Sequence, residues 1–347
     1  MTEPSPVPGG KTAVLIGHPG IGDLVWHLPP IQAIARHHGA PVTLFARSST
    51  QSHVLFGQTP DIAEVVLFER KQGREYFPAL FDLAAKLRRG GFQRVYILNR
   101  RLMLAAATAM AGIPERYGFG KSNQRLFLNR GGYLYDSNKV VPGGPVIECR
   151  IFLDRNGIKV TDVTPRIAAD RAVRAEVRQR FADLPRPWIA LAITVNDEPR
   201  RWPGHYFADL AMRLRAQTGG TVFLHGGPHH TRQVDEVLAA LPAEHPLIID
   251  LSRAGLTFGP IMALLAESDL FVGNDSGPLN VTAALGRPAY GLFGNVAPHE
   301  SLSPNIRPIL PATGPPDLET GMQRLTVDHV MREIAPVLAE LKTKPVS

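Results

Sequence analysis

Residues 268–294 read SDLFVGNDSGPLNVTAALGRPAYGLFG, and this stretch decides the fold. Residues 270–273 form a short apolar run that ends on Gly273, the signature of a strand buried on both faces. Residues 278–285 read as a helix, with Pro278 near its start, where a missing N–H costs little. Residues 289–293 read as the next strand. Strand, helix and strand in so short a span make a parallel crossover. Asp275, Ser276 and Gly277 then lie where free backbone N–H groups meet the positive end of a helix dipole, a setting suited to a diphosphate. The same residues also suit a plain N-capping turn.

The alternation extends outward in both directions. Upstream, strands are expected at residues 188–193, 221–225 and 247–251, with helices at 205–217, 231–241 and 259–266. The first half repeats the pattern. Strands are expected at 12–17, 42–46, 64–68 and 94–98, and helices at 24–37, 81–89 and 102–111. Gly90-Gly91 and Gly219-Gly220 are stop signals for helices. Residues 131–187 are less regular and contain PGGP at 142–145 and PRP at 185–187. Residues 327–341 read as an amphipathic helix interrupted near Pro336. The expected fold class is therefore α/β, two Rossmann-like domains facing across a central cleft. Their bounds are 11–165 and 188–325, with a C-terminal helix and tail over 326–347. Ligands of such sheets sit at the carboxyl ends of the strands, so the loops there carry the chemistry.

Three further loops stand out. GHPGIGD, residues 17–23, places Gly20 and Gly22 where the backbone turns tightly, with Asp23 at a helix start. Residue type alone leaves Asp23 either an N-cap or a general base. The spacing is not GxGxxG, so the dinucleotide fingerprint is absent. ITVNDEPRRWP, residues 193–203, carries Arg200 and Arg201, whose guanidinium groups can grip phosphate or stand as solvated charges. Trp202 reads as a packing residue. HGGPHH, residues 225–230, offers Gly226 and Gly227 for close backbone approach. His229 and His230 point apart as neighbours in sequence, which argues against one shared metal.

Composition narrows the class. The chain has 347 residues, 44% hydrophobic and 20% charged, as expected of a globular protein of two domains. A single cysteine, Cys149, excludes an internal disulfide and a cysteine-rich zinc site. The opening MTEPSPVPGGK reads as a loose tail, and no apolar run is long enough to span a bilayer. The net charge of +7 favours anionic partners, but the Lys and Arg residues form no nucleic-acid arm. The sequence holds no Asp-x-Asp, no GxxxxGK[ST], no HExxH and no GxSxG.

Taken in order, four segments resemble glycosyltransferase family 9, the ADP-heptose:lipopolysaccharide heptosyltransferases. They are VLIGHPGIGDLVWHLPPIQAIA (14–35), FDLAAKLRRGGFQRVYIL with AGIPERYGFG (81–98 and 111–120), RRWPGHYFADLAMRL (200–214) and the opening quotation. The resemblance covers roughly residues 11–340. It implies the GT-B fold and inverting transfer of a heptose or related sugar, with no required metal and no cofactor. The donor would be a nucleotide diphosphate sugar such as ADP-heptose. The acceptor would be a lipopolysaccharide core or another anionic glycolipid or surface glycan. The setting would be cytoplasmic, with peripheral contact at the inner membrane face and no nucleic acid.

By the same resemblance, Asp23 is the base, with Gly20 and Gly22 beside it on the acceptor side. The basic residues Arg100, Arg101, Arg116 and Lys121 of the first half suit the phosphates or acids of such an acceptor, and equally suit a solvated surface. Donor contacts fall to Thr194, Arg200, Gly226, Gly227, His230, Asp275, Ser276, Gly277, Pro278 and Asn280. Arg200 stands where the family carries lysine, His230 where glutamate is common, and Asn280 where histidine is usual. The loop GNVAPH stands in place of Gly-Pro-Thr-Asp. Two other readings fit these departures: a nucleotide-sugar-binding member without activity, or a GT-B-fold nucleotide-sugar epimerase.

Overall fold

The computed structural model describes residues 10–134, 144–227, 230–298 and 303–343. The opening tail, His229, His299 of GNVAPH and the first two residues of PGGP lie outside the described residues. The chain divides into two compact units, with the boundary between Pro165 and Arg166.

The first unit runs β1 (Thr12–Leu15), α1 (Ile21–Trp26), α2 (Leu28–His38), β2 (Val42–Arg47), α3 (Ser52–Leu55), β3 (Ile62–Phe68), α4 (Tyr76–Gly90), β4 (Arg94–Ile97), α5 (Leu102–Met110), β5 (Glu115–Gly118) and α6 (Gly144–Arg155). Its strands are all parallel, in the order β3-β2-β1-β4-β5. Every residue of β1 and β4 is buried, as expected of central strands covered by helices on both faces. The first-unit core joins Leu15 and Val95 of these strands to Leu83 and Leu87 of α4 and Leu104 of α5.

The second unit runs α7 (Arg171–Arg180), β6 (Trp188–Ala192), α8 (Gly204–Thr218), β7 (Thr221–His225), α9 (Thr231–Ala239), β8 (Ile248–Asp250), α10 (Phe258–Glu267), β9 (Leu270–Asn274), α11 (Gly277–Ala284), β10 (Ala289–Leu292), β11 (Ile306–Ile309), α12 (Gly321–Arg324) and α13 (Val327–Thr343). Its sheet is also parallel, in the order β11-β10-β9-β6-β7-β8. Both orders are those of a doubly wound nucleotide-binding sheet: the chain lays strands outward from a central one, returns, and continues on its other side. The reversal falls between β1 and β4 in the first unit and between β6 and β9 in the second. Loops at the carboxyl ends of those four strands flank the crevice where such sheets bind ligands.

Several expectations need correction. The helix expected over residues 24–37 is two helices, broken at His27. Pro29 and Pro30 have no amide hydrogen to extend α1, so they open a fresh first turn in α2 instead. The C-terminal helix is not interrupted at Pro336; α13 runs through it. Pro336 and Arg332 are both exposed, so the turn that lacks proline's hydrogen bond lies on the solvent side of the helix. The irregular middle contains α6 and α7. α6 buries Val146, Cys149, Phe152 and Leu153, and α7 is capped by the Asp170 carboxylate, which accepts from the amides of Ala172 and Val173. The strands β5 and β11 also went unread. The two double-glycine stops act as expected: Gly91 and Gly219 close α4 and α8 in the left-handed conformation, at φ 65° and 70°.

Trp202 is a packing residue. It is buried against Tyr206 and Phe207, and its indole N–H donates to the carbonyl of Leu325 at 2.7 Å. The same core contains Val330, Ile334 and Leu338 of α13. Trp202→Phe keeps an aromatic ring but leaves the Leu325 carbonyl without its donor. Urea denaturation should show a loss of at least about 1 kcal/mol; an unchanged midpoint would mean that this hydrogen bond does not hold α13 to the unit.

Candidate active site

In the first unit, the site is the loop after β1. Gly20 is the N-cap of α1, and Asp23 is the third residue of that helix, not its cap. The Asp23 side chain makes no capping bond. It folds back over Gly20, where a Cβ would stand 2.9 Å from Oδ2. A side chain at residue 20 would therefore push the carboxylate out of this position. Gly22 lies between them, within α1. Gly17 is equally tight: a Cβ there would meet Leu104 at 3.1 Å and Asn99 at 3.4 Å, so the loops after β1 and β4 lie side by side.

Two histidines that sequence reading passed over frame Asp23. The rings of His18 and His27 are 5.3 Å apart, and His27 Nδ1 donates to the backbone carbonyl of Asp23 at 2.6 Å. Burial holds the pKa of His18 below the ordinary range. The fields of Arg101 and Arg100 act in the same direction, and only Asp23 opposes them. Burial brings His27 down to about 4. At neutral pH the carboxylate thus has neutral rings for neighbours, not imidazolium ions that would mask its charge.

The remaining residues expected on the acceptor side are less closely gathered. Arg100, in the loop after β4, is ion-paired with Glu148 of α6, a buried carboxylate. Arg116 lies in β5 itself. Its guanidinium braces the chain, donating to the carbonyls of Phe127 at 2.7 Å and Ile113 at 2.6 Å. Lys121 follows β5 and opens the 3-10 segment Ser122–Phe127. That segment is fastened beside the loop after β4, because Gln124 donates to the Asn99 carbonyl at 2.9 Å.

In the second unit, the loops after β6, β7 and β9 are knitted together at the switch point. Thr194 accepts from the amide of Gly227 at 3.0 Å, and His230 Nε2 meets Asn196 Oδ1 at 2.8 Å. Gln233 both accepts from the Val195 amide and donates to its carbonyl, each at 3.0 Å. Gly226 and Gly227 serve this packing first. A Cβ at Gly226 would stand 2.5 Å from Val234, and one at Gly227 would stand 2.7 Å from His230 Nδ1.

Asn274, the last residue of β9, is fully buried and joins the other two loops. Its side chain accepts from the Trp202 amide at 3.0 Å and donates to the Ile193 carbonyl at 3.2 Å. It was quoted in the sequence but given no role. A polar residue closing an otherwise apolar strand was the available signal.

Beyond it, Ser276 is the N-cap of α11, with Gly277 and Pro278 in the first turn. The Ser276 hydroxyl is buried and makes no hydrogen bond among the described residues. Asn280 donates back to the Ser276 carbonyl at 3.1 Å. Arg200 is held at this loop by ion pairs with Asp275 and Asp197, both 3.1 Å. Arg201 instead pairs with Glu198 and Glu236. The two adjacent arginines are thus separated, and only Arg200 reaches the α11 loop.

Two Rossmann-like units, each with polar loops gathered at its reversal point, define a nucleotide-binding class of protein. The chain belongs to glycosyltransferase family 9 (heptosyltransferase), whose model matches residues 80–309. It is 24% identical to lipopolysaccharide heptosyltransferase 2 of Escherichia coli (strain K12), over 82% of this chain and 83% of that one. Among solved structures it is similar to E. coli ADP-heptose lps heptosyltransferase II, with a TM-score of 0.79, 23% identity, and 95% and 99% of the two chains covered. It is also similar to E. coli heptosyltransferase WaaC with ADP-2-deoxy-2-fluoro heptose, with a TM-score of 0.71, 17% identity, and 94% and 99% covered. These likenesses match the GT-B architecture expected from the sequence. No helix among the described residues is long and apolar enough to cross a membrane.

Two predictions follow from this geometry. Asn274→Leu strands the Trp202 amide and the Ile193 carbonyl in the interior. Each lost bond should cost about 1–3 kcal/mol, read by urea denaturation; a variant as stable as the parent would remove Asn274 from its linking role. His27 makes stability depend on acid. The unfolded chain takes up its proton near pH 6.5, the folded protein only near 4. Stability should therefore fall as pH drops through this window, by about 3 kcal/mol at pH 4 from this group alone. His27→Gln should flatten that limb; an acid limb as steep as the parent's would show that His27 does not contribute.

Proposed function

We propose that the chain transfers a heptose, or a closely related sugar, from a nucleotide diphosphate donor to a hydroxyl of a lipopolysaccharide core, with inversion and without a metal. The observation that carries the donor side is the buried Ser276 hydroxyl without a partner, at the first turn of α11 and beside Arg200. Free amides at a helix start, an unused hydroxyl and a guanidinium together suit a diphosphate. Gly277, Pro278 and Asn280 shape this turn, and Asp275 orients Arg200. Thr194, Gly226, Gly227 and His230 form the adjoining wall of the donor pocket. The relative crystallised with an ADP-heptose analogue supports ADP as the nucleotide.

On the acceptor side, Asp23 is the base. Its carboxylate takes the proton from the acceptor hydroxyl as that oxygen attacks the anomeric carbon. The bond from that carbon to the diphosphate breaks, and the nucleoside diphosphate leaves with the electron pair. Arg200 and the α11 amides stabilise the charge that develops on it, the part a metal ion plays in other transferases. Gly20 and Gly22 let the chain turn beneath the acceptor, and Arg116 and Lys121 lie on its side of the reaction. The names of the relatives support a lipopolysaccharide acceptor, and the setting proposed for the reaction is the cytoplasmic face of the inner membrane.

Asp23→Ala should bind ADP as the parent does, seen as an equal thermal shift, yet turn over at least about 100-fold more slowly with ADP-heptose and a heptose-bearing core acceptor. Near-normal turnover removes Asp23 as the base. Equal thermal shifts from ADP, GDP, UDP and dTDP defeat a selective donor pocket.

A further inference from the structure

We propose that α4 and the adjoining rim of the first unit dock on an anionic lipid bilayer, an inference that rests on the glycolipid acceptor proposed above. Phe77 and Phe81 are 62% and 56% exposed. They are four residues apart on α4, so they share one exposed side of the helix. Leu80, Leu83 and Leu87 form the buried stripe of the same helix, so the phenylalanines stand beside the core-facing side and outside it. Phe77 meets Tyr76 edge to face, with centroids 5.4 Å apart, yet both phenylalanines keep more than half of their surface exposed.

The charge around them suits lipid headgroups. Arg74 is exposed one turn before Phe77, and Arg88 and Arg89 are exposed at the far end of the same helix. Residues 69–89 carry six basic and three acidic side chains. Two of the acids, Glu75 and Asp82, are paired with Lys71 and Lys86 at 3.8 and 2.9 Å, which leaves the excess positive. Aromatic side chains on one helix face with Lys and Arg around them make an interfacial helix. A face with a net positive charge repels a second copy of itself, which argues against a dimer contact.

The position of the helix completes the case. In a parallel sheet each helix begins where a strand ends, so the first turns of α4, which carry both phenylalanines, lie along the carboxyl-end rim. The Asp23 loop follows β1 on that rim. Leu126, 78% exposed, belongs to the 3-10 segment that Gln124 fastens there. A lipid-anchored acceptor in a bilayer under this rim would present its sugar on the edge that carries Asp23.

The test is co-sedimentation of the full chain with phosphatidylglycerol/phosphatidylethanolamine vesicles and with neutral phosphatidylcholine vesicles. The parent should bind the anionic vesicles, bind the neutral ones weakly, and release as salt rises. Phe77→Ser/Phe81→Ser should bind at least about 10-fold more weakly, with an unchanged melting temperature. It should keep transfer to a lipid-free core oligosaccharide while losing transfer to acceptor embedded in vesicles. Equal vesicle binding by parent and variant overturns the proposal, as does a parent that ignores anionic vesicles. So does a parent dimer that the variant loses without any change in vesicle binding. If the parent binds vesicles as described yet transfers sugar to no glycan, docking stands and the acceptor reading falls.

Discussion

The second unit depends on one buried amide. Asn274 ends β9, has no exposure to solvent, and uses both ends of its side chain on backbone groups from elsewhere. Its oxygen holds the start of the segment leading into α8, and its nitrogen holds the end of β6. A buried backbone amide or carbonyl without a partner is expensive, so these bonds fix where the segments lie. Arg200 sits two residues before the held amide, and the α11 turn begins two residues after Asn274. Groups about 70 residues apart in the chain are thereby set side by side, as the ion pair between Arg200 and Asp275 records.

The first unit solves a related problem by different means. Asp23 must stand at the sheet's reversal point without forming the capping bond that a helix start offers it. Gly20 yields the space, and the turn at His27 ends α1 after six residues. Below it, His27 donates to the Asp23 carbonyl, and burial keeps the ring neutral. Residue 23 is thus positioned by backbone geometry and by the bond from a neutral ring to its carbonyl.

Ion pairs also build structure that a hydrophobic pattern does not announce. α7, RAVRAEVRQR, buries only Val177. It is fastened to α10 because Arg174 and Arg178 converge on the buried carboxylate of Glu267, at 2.6 and 2.8 Å. Its sequence has almost no apolar period, so periodicity could not find it. α6 was obscured by Glu148 and Arg150 interleaved with its buried face, and Glu148 proves to be the internal partner of Arg100.

By itself, the sequence determined the alternation of strand and helix, the two parallel sheets and the loops that matter, because apolar period, proline and glycine act locally. It placed Asp23 and the Asp275–Pro278 turn each at a helix start. Family resemblance supplied the roles proposed for them. Tertiary structure alone decided which polar groups meet. It separated Arg200 from Arg201, gave Arg116 to backbone carbonyls, filled the space beside Gly226 and Gly227 with the protein's own side chains, and made Asn274 a link between loops. The reason is physical: hydrogen bonds and ion pairs between distant segments depend on where the sheets bring those segments, and no local pattern encodes that distance.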